Sequence, residues 1–347
     1  MKDPGQNENP KENTGDDDSP PRASHRRIRI VEERSPKERE PGEQRISYID
    51  LRIDPYAPHE MAGLAQNVGI AKARMDFLST LSLAILAGAF IALGAEFATV
   101  VATATGLGFG LNRFAVGVAF SLGLVLTLVA GAELFTGNTL IVMAWMGHKI
   151  TLPQLLRNWG IVYLGNFVGS IATVFLVLYA QQWALNDFQV GATALLIANA
   201  KVQLGFVQAL VAGILANALV TLAVWLAFSA RSTVDKIAAI VLPIAAFVAS
   251  GFEHSVANMY FIPMGLALKD NVSVVDAAGL TAAQLSNLTW PSFIISNLIP
   301  VTIGNIIGGA VLVGAFYWLI YLRSATVFDL LRMFSLRSEP ERHSRDK

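Results

Sequence analysis

The residue whose type is most unusual for its surroundings is His254, because it stands in a long apolar stretch. The chain has five histidines, and the other four lie in polar segments (His25, His59, His148 and His343). A histidine can transfer a proton near neutral pH or hold a positive charge, depending on its neighbours. It can also have a packing role, held by carbonyl groups at a helix end. A single histidine does not make a metal site, so we expect proton or charge chemistry at His254 and no metal.

Two polar interruptions of apolar stretches carry further candidate residues. They are Gly131–Asn138 and Ser250–Asn258, and each contains a glutamate at an equivalent place, Glu133 and Glu253. Ionisable groups in such surroundings are costly and need partners. Each glutamate therefore either holds its loop by accepting backbone N–H bonds, which we favour, or conducts cations. Asn258, at the end of the second interruption, is predicted to belong to the same pathway.

Three polar residues each have a functional and a structural interpretation. Thr136 offers a hydroxyl that can meet His254 across a path, or it caps a half-helix that begins at Gly137. Lys201 is either a surface lysine or an inward-turned one that adds positive potential to a vestibule. Asn217 either bridges two helices or orients Lys201.

Large apolar residues flank the two interruptions, namely Phe120, Leu124, Leu134 and Phe247. Residues of this type usually pack the core. Beside a pore they would instead form dry constrictions that block hydrated ions. Both roles are compatible with their positions in the sequence.

The distribution of charge indicates a membrane protein. Of 26 basic and 26 acidic residues, only 14 lie between residues 77 and 322. A soluble protein has no comparable way to cover so much apolar surface. The balanced charge gives no indication of nucleic acid binding, and the absence of cysteine excludes disulfides and thiol catalysis. The charged first 60 residues predict no cleavable signal peptide.

Six apolar stretches, each long enough to cross a bilayer, predict an all-α multi-pass membrane protein. The second and fifth are broken by the two polar interruptions. The expected spans are 77–101, 114–145, 156–179, 206–228, 237–267 and 293–322. The expected segments are a disordered charged cytoplasmic tail at 1–54, an amphipathic helix along the membrane face at 55–76, a six-span domain at 77–323 and a cytoplasmic tail at 324–347.

The third and sixth stretches share a motif, which indicates an internal repeat. The pattern N-x3-V-x2-G-N-x2-G begins at Asn158 and again at Asn297. The broken stretches also correspond, the second to the fifth. Three spans followed by three related spans give two halves of opposite topology. Paired broken helices in such halves indicate a transport site near the midplane.

Basic residues in the short loops favour cytoplasmic positions for both termini, because such loops carry more lysine and arginine on that side. With that orientation, the inner loops hold Lys149, Arg157, Arg231 and Lys236, and the outer connections hold Arg113, Lys201 and Lys269.

These motifs resemble the formate/nitrite transporter family over roughly residues 58–323. The resemblance rests on GAELFT from Gly131, SGFEHSVANM from Ser250 and the two repeated motifs, which occur in the family's order. The long charged N-terminus departs from typical formate and nitrite members and is similar to a less characterised, YfdC-like branch.

The resemblance implies an aquaporin-like protomer with an inverted 3+3 repeat, assembled as a homopentamer in a bacterial inner membrane. It implies passage of small monovalent anions, such as formate or nitrite, together with protons, and neither a cofactor nor an enzymatic activity. It also implies roles for particular residues: His254 as the central histidine, Thr136 as the loop threonine, Lys201 as the vestibule lysine with Asn217 beside it, and Phe120, Leu124, Leu134 and Phe247 as the constrictions.

We expect an anion to be drawn towards Lys201 and neutralised by a proton at His254. In the other version, the anion crosses the channel without being protonated, and the half-helix ends stabilise its charge. An aquaporin-like channel for water or small neutral solutes would share the fold, but it needs no ionisable histidine. A membrane-embedded enzyme would have only Ser255 as a nucleophile beside His254.

Overall fold

The structure is a computed structural model, which describes residues 54–103 and 106–323 and the backbone of two strands. Strands β1 (Arg27–Ile30) and β2 (Ser47–Asp50) pair antiparallel, with Arg27 opposite Asp50. They belong to one compact unit, Met1–Asp54, and the helices belong to another, Pro55–Lys347. The isoleucines and tyrosine of these strands favour extended backbone, and the expected disorder of 1–54 stays a prediction. The rest of that segment and the expected tail at 324–347 lie outside the described residues.

The second unit is built from helices. They are α1 (Pro58–Arg74), α2 (Phe77–Ala102), α3 (Phe109–Ala130), α4 (Phe135–Asn138), α5 (Val142–Met146), α6 (Leu152–Tyr179), α7 (Gln189–Val202), α8 (Phe206–Ser229), α9 (Thr233–Ala249), α10 (Ser255–Leu268), α11 (Val272–Ala278) and α12 (Trp290–Tyr321). Single 3₁₀ turns occur at Thr139–Ile141 and Gln182–Ala184, and α12 contains two π-helical segments, Phe293–Leu298 and Ile307–Ala315.

Five of these helices are long and apolar enough to cross a membrane: α2, α3, α6, α8 and α12. Large apolar side chains on them remain exposed in the protomer, including Leu78 at 70% and Leu176 at 71%. Such faces suit contact with lipid or with other protomers, so the predicted all-α multi-pass class is confirmed. The sixth crossing depends on counting α9 and α10 as one broken span, because each alone is short.

Both predicted interruptions are real breaks that begin at a glycine. Gly131 follows α3 with φ +83°, and Gly251 follows α9 with φ +74°. Only glycine adopts this left-handed conformation without steric cost, and it is the usual way to end a helix. At each break the next amide bonds back to the helix, Ala132 N to Thr127 O at 2.8 Å and Phe252 N to Phe247 O at 3.1 Å. The two half-spans then restart as α4 and α10.

The buried side of helix α1 packs on the protein, and its position along the membrane face stays a prediction. Its basic last turn contains Lys72 and Arg74, as the helix dipole favours, and it ends at Arg74, two residues earlier than predicted. Its contacts are with α5, α6, α8 and the turn at Thr139–Ile141. The buried residues of α1 are Met61, Ala62, Ala65, Gly69 and Ala73.

Close helix contacts recur in the two halves of the chain. A side chain at Gly169 in α6 would meet Ile85 O of α2, and one at Gly308 in α12 would meet Ile214 O of α8. Small residues at helix interfaces allow such backbone approach in membranes. The first and last membrane helices of each half are therefore paired in the same way, as the repeated motif predicted.

Candidate functional site

A hydrogen bond joins the two breaks at the centre of the protein. Thr136 Oγ1, in α4, lies 2.8 Å from His254 Nε2, at the residue that precedes α10. Thr136 is fully buried and His254 is 2% exposed. Sequence reasoning offered this contact and a capping role as alternatives for Thr136, and the geometry supports the contact.

The second hydrogen bond of His254 defines which of its nitrogens carries a proton. The backbone N–H of Ala257 donates to Nδ1 over 3.1 Å, so the imidazole caps the start of α10. A nitrogen that accepts from an N–H must present its lone pair, so neutral His254 carries its proton on Nε2. Nε2–H therefore donates to Thr136 Oγ1, and the hydroxyl hydrogen of Thr136 is left to donate elsewhere. His254 thus has both the structural and the polar role that the sequence suggested.

Each break lines its own cavity. One cavity, of about 320 Å³, is bounded by α1, α3, the first break and α9, and Lys72, Glu133 and Lys236 are among its lining residues. The other, of about 220 Å³, is bounded by residues of the second break and of α7, including His254 and Lys201. We call them the α1-side cavity and the α7-side cavity. The bridge between Thr136 and His254 stands between the two breaks.

The four predicted constriction residues border these cavities and are nearly completely buried. Leu124 and Leu134 line the α1-side cavity, whereas Phe120 and Phe247 line the α7-side cavity. The rings of Phe120 and Phe247 meet edge to face with centroids 5.5 Å apart, and Phe247 lies 5.9 Å from the imidazole of His254. Apolar side chains thus stand on both sides of the polar centre.

The two break glutamates are each paired with a lysine. Lys72 Nζ lies 3.0 Å from Glu133, and Lys201 Nζ lies 2.8 Å from Glu253. The lysine side chains are 25% and 15% exposed, and the glutamates 6% and 5%. A buried charge that lost its partner would be strongly destabilising. The pairs favour a structural role for the glutamates over cation conduction, although the donors to their carboxylates in the described residues are lysine and asparagine side chains and not the expected backbone N–H groups.

Asparagines complete the same network in both halves. Asn138 donates to Glu133 and Asn258 donates to Glu253, both over 2.7 Å. Asn258 also contacts Asn297 Oδ1 at 2.7 Å, as Asn138 contacts Asn158. In the described structure, Asn258 braces the glutamate at the rim of the break.

The repeated asparagines Asn166 and Asn305 hold the non-helical backbone of the breaks. Asn305 Oδ1 accepts from Ser255 N over 2.9 Å, and its amide donates to Gly213 O and Glu253 O. Asn166 makes the equivalent three bonds at the first break. Since buried backbone groups need partners, one side chain here replaces the missing helical bonds.

Lys201 and Asn217 each take one of the two placements that the sequence offered. Lys201 is in α7, a helix that sequence reasoning treated as a connection, and it turns inward to Glu253. In the described structure Asn217 does not orient Lys201. Its amide donates instead to Asn305 O and Thr136 O in the interior. It therefore bridges helices, which was its other interpretation.

Lys72 is the residue of the candidate site that sequence reasoning missed, because it treated Lys72 only as a dipole-favoured charge in α1. A signal was present, because Lys72 precedes the first span of its half as Lys201 precedes the first span of the other. Once Glu133 and Glu253 were recognised as equivalents, a second lysine partner was to be expected.

Metal and nucleophile chemistry receive no support at this site. Among the residues that the structure describes, no group of three or more His, Asp or Glu side chains is placed to hold a metal ion. Ser255 Oγ has no hydrogen-bond partner, so it is not activated by His254.

The chain was compared with known proteins. Residues 59–319 match the family model described as "Formate/nitrite transporter". The chain is 47% identical over 277 residues to "Formate channel FocA" of Escherichia coli (strain K12), covering 79% of this chain and 97% of that one. A solved "Pentameric formate channel with formate bound" is similar with a TM-score of 0.67 and 44% identity, over 71% of this chain and 98% of the other.

A second solved structure, an "FNT family ion channel", is similar with a TM-score of 0.63 and 27% identity over 75% of this chain and 98% of that one. The family match covers the helices, both breaks and all the residues of the polar centre. The chain therefore belongs to the formate/nitrite transporter family.

Proposed function

We propose that the protein is a channel for formate and similar small monovalent anions of weak acids, and that it is not an enzyme. The observation that carries the proposal is the Thr136–His254 bridge, a polar contact of 2.8 Å between two breaks that each line a cavity. The relatives named as formate channels support the same substrate class. Membership of the YfdC-like branch stays a prediction, and so does transport of any particular anion among formate, nitrite and others.

Lys72 lines one cavity and Lys201 the other, so each ammonium group can donate hydrogen bonds to an anion beside the path. Their paired glutamates offset much of the positive charge and keep the lysines from being isolated buried charges. Beyond them the anion meets Leu124 and Leu134, or Phe120 and Phe247. A dry constriction removes the water that stabilises an ion.

The free energy of passage favours neutralisation. A bare charge at the bilayer centre costs at least about 2.5–3.5 kcal/mol, and by other measures over 10. Protonating a carboxylate with a pKa near 4 at pH 7 costs about 4 kcal/mol, since each pKa unit is about 1.4 kcal/mol. Crossing the constrictions as the neutral acid is therefore competitive.

We propose that His254 takes up a proton from one cavity and passes it to the anion, so that the anion crosses as the neutral acid and His254 returns to its neutral form. Protonated His254 needs hydrogens on both nitrogens, but Nδ1 accepts from Ala257 N. Movement of the imidazole away from Ala257 is thus part of the step. In the other version His254 stays capped and neutral, and Nε2–H and the Thr136 hydroxyl stabilise an anion that crosses whole. A response to a pH gradient, with little response to voltage, separates the first version from the second.

We also propose that the protein is a homopentamer in the bacterial inner membrane with both termini in the cytoplasm. The pentameric formate channel among its relatives supports the assembly. Basic residues gather at the α1 end, where Arg74 donates to Lys149 O over 3.2 Å and Arg157 to Met75 O over 3.1 Å. Such an excess marks the cytoplasmic side. Native mass spectrometry tests the stoichiometry, and a stable monomer or tetramer would reject the pentamer.

An aquaporin-like channel for water or neutral solutes is the other candidate. The paired lysines and the titratable centre speak against it, because neutral solutes need neither. The deciding experiment is uptake of labelled formate into proteoliposomes under imposed pH gradients, with swelling by neutral solutes measured in parallel. Formate uptake that follows the pH gradient supports the anion channel, whereas swelling without formate uptake would support the aquaporin-like function.

A further inference from the structure

The α1-side cavity contains a second lysine that the site described above does not use. Lys236 lies in the first turn of α9, is half-buried, and lines this cavity together with Lys72 and Glu133. Within 54–103 and 106–323, Lys236 has no carboxylate in ion-pair distance and no hydrogen-bond acceptor, whereas Lys72 is paired with Glu133. Among the described residues, its ammonium group is therefore a cation in the cavity without a fixed counter-charge.

The nearest acidic residue in sequence, Asp235, is engaged elsewhere. Its carboxylate accepts from the backbone N–H of Ser232 over 3.0 Å and of Arg231 over 3.2 Å, which caps the start of α9. The Asp235 carboxylate is therefore held by the helix start, and Lys236 remains available to a ligand in the cavity.

The corresponding helix of the other half, α3, also carries a cation near its start, at a different register, and that cation is bonded differently. Arg113 lies in the first turns of α3 and lines the α7-side cavity. Its guanidinium donates to Ala249 O over 2.9 Å and to Val248 O over 2.7 Å, so it caps the end of α9 at the second break. Lys236 makes no such bonds to the end of α3. One half thus uses its cation to hold backbone, and the other half leaves it free.

We propose that Lys236 is a binding residue for small carboxylate anions in the α1-side cavity, which concentrates them before the Leu124–Leu134 constriction. This role of Lys236 rests on the proposed anion-channel function. A half-buried cation in a low-dielectric cleft raises the local concentration of anions and speeds their association, with a steep dependence on ionic strength. The α7-side cavity, where both cations are held by other groups, has a weaker site of this type.

The test measures the uptake of labelled formate into neutral phosphatidylcholine vesicles that contain the full chain. Formate is supplied at concentrations below saturation. Lys236→Gln removes the charge and keeps a polar side chain of similar length, and Lys236→Arg keeps the charge. Lys269→Gln is the matched control, because Lys269 donates to Leu288 O over 3.3 Å and lines neither cavity. All four proteins are compared from about 0.01 M to about 1 M salt, where the screening length falls from about 30 Å to about 3 Å.

We expect Lys236→Gln to lower formate uptake by about threefold to tenfold at low salt and to match the wild-type protein at high salt, as screening of a charge requires. Lys236→Arg and Lys269→Gln should behave like the wild-type protein. Undiminished uptake by Lys236→Gln at low salt would overturn the proposal. So would a loss that persists unchanged at high salt, or an equal loss in Lys236→Arg, since either would indicate a structural role. Absence of formate uptake by the wild-type protein would instead reject the channel function itself.

Discussion

Thr136 and His254 meet at 2.8 Å, although they belong to different halves of the chain. The two halves share a Lys–Glu pair and three asparagines around each break. They differ at the residues between the glutamate and the asparagine of each break, where Leu134 in the first corresponds to His254 in the second and Thr136 to Val256. The polar centre thus arises where one half departs from the repeat, and we therefore expect the function to depend on His254.

Replacing Thr136 tests the acceptor of the histidine bond. We expect Thr136→Val to lower formate uptake by about two- to tenfold, because one hydrogen bond contributes about 0.5–1.5 kcal/mol. Thr136→Ser keeps the hydroxyl and should retain most of the uptake. Initial rates in proteoliposomes check both variants, and equal rates in Thr136→Val and Thr136→Ser would show that the hydroxyl is not used.

Removing one charge of the Lys201–Glu253 pair should destabilise the protein. Breaking a buried pair costs about 3–5 kcal/mol, because the remaining charge is left without compensation. Lys201→Gln and Glu253→Gln should each lower the thermal midpoint of the purified oligomer, and the double variant should be more stable than either single one. Additive losses in the double variant would mean that the two side chains do not interact.

Asn305 should be essential for the shape of the second break. Asn305→Leu leaves Ser255 N and Glu253 O without the partner that Asn305 provides, and each buried unpaired group costs about 1–3 kcal/mol. We expect loss of assembly, read by size-exclusion chromatography. Asn112→Leu is the control, because Asn112 Oδ1 has no hydrogen-bond partner. A normal oligomer from Asn305→Leu would show that the break has other support.

The sequence predicted the features that depend on local chemistry and on the repeat. Glycine at 131 and 251 marked both breaks, and the apolar surroundings of His254 singled it out. The repeated asparagines identified equivalent places in the two halves, although their bonds to the break backbone became visible only in the structure. These features could be inferred because each depends on the type of one residue or on a repeated motif, and both are visible in the sequence.

The sequence could not predict partners that come from distant segments. Lys201 was ambiguous because α7 has only 14 residues, too short for a span, so its packing against α10 had no signature. Lys72 approaches Glu133 only because α1 folds back onto the first break. Asn217 suits several partners, and its choice of Asn305 O depends on how α8 and α12 are rotated.

The most direct test of the account is His254→Asn. Asparagine can accept a hydrogen bond but cannot titrate, so the variant separates the brace of α10 from the proton chemistry. We predict a correctly assembled oligomer whose pH-driven formate uptake falls by tenfold or more, and tenfold corresponds to about 1.4 kcal/mol in the barrier. Wild-type pH-driven uptake by an assembled His254→Asn protein would contradict proton transfer at His254, while leaving the fold and the family assignment unchanged.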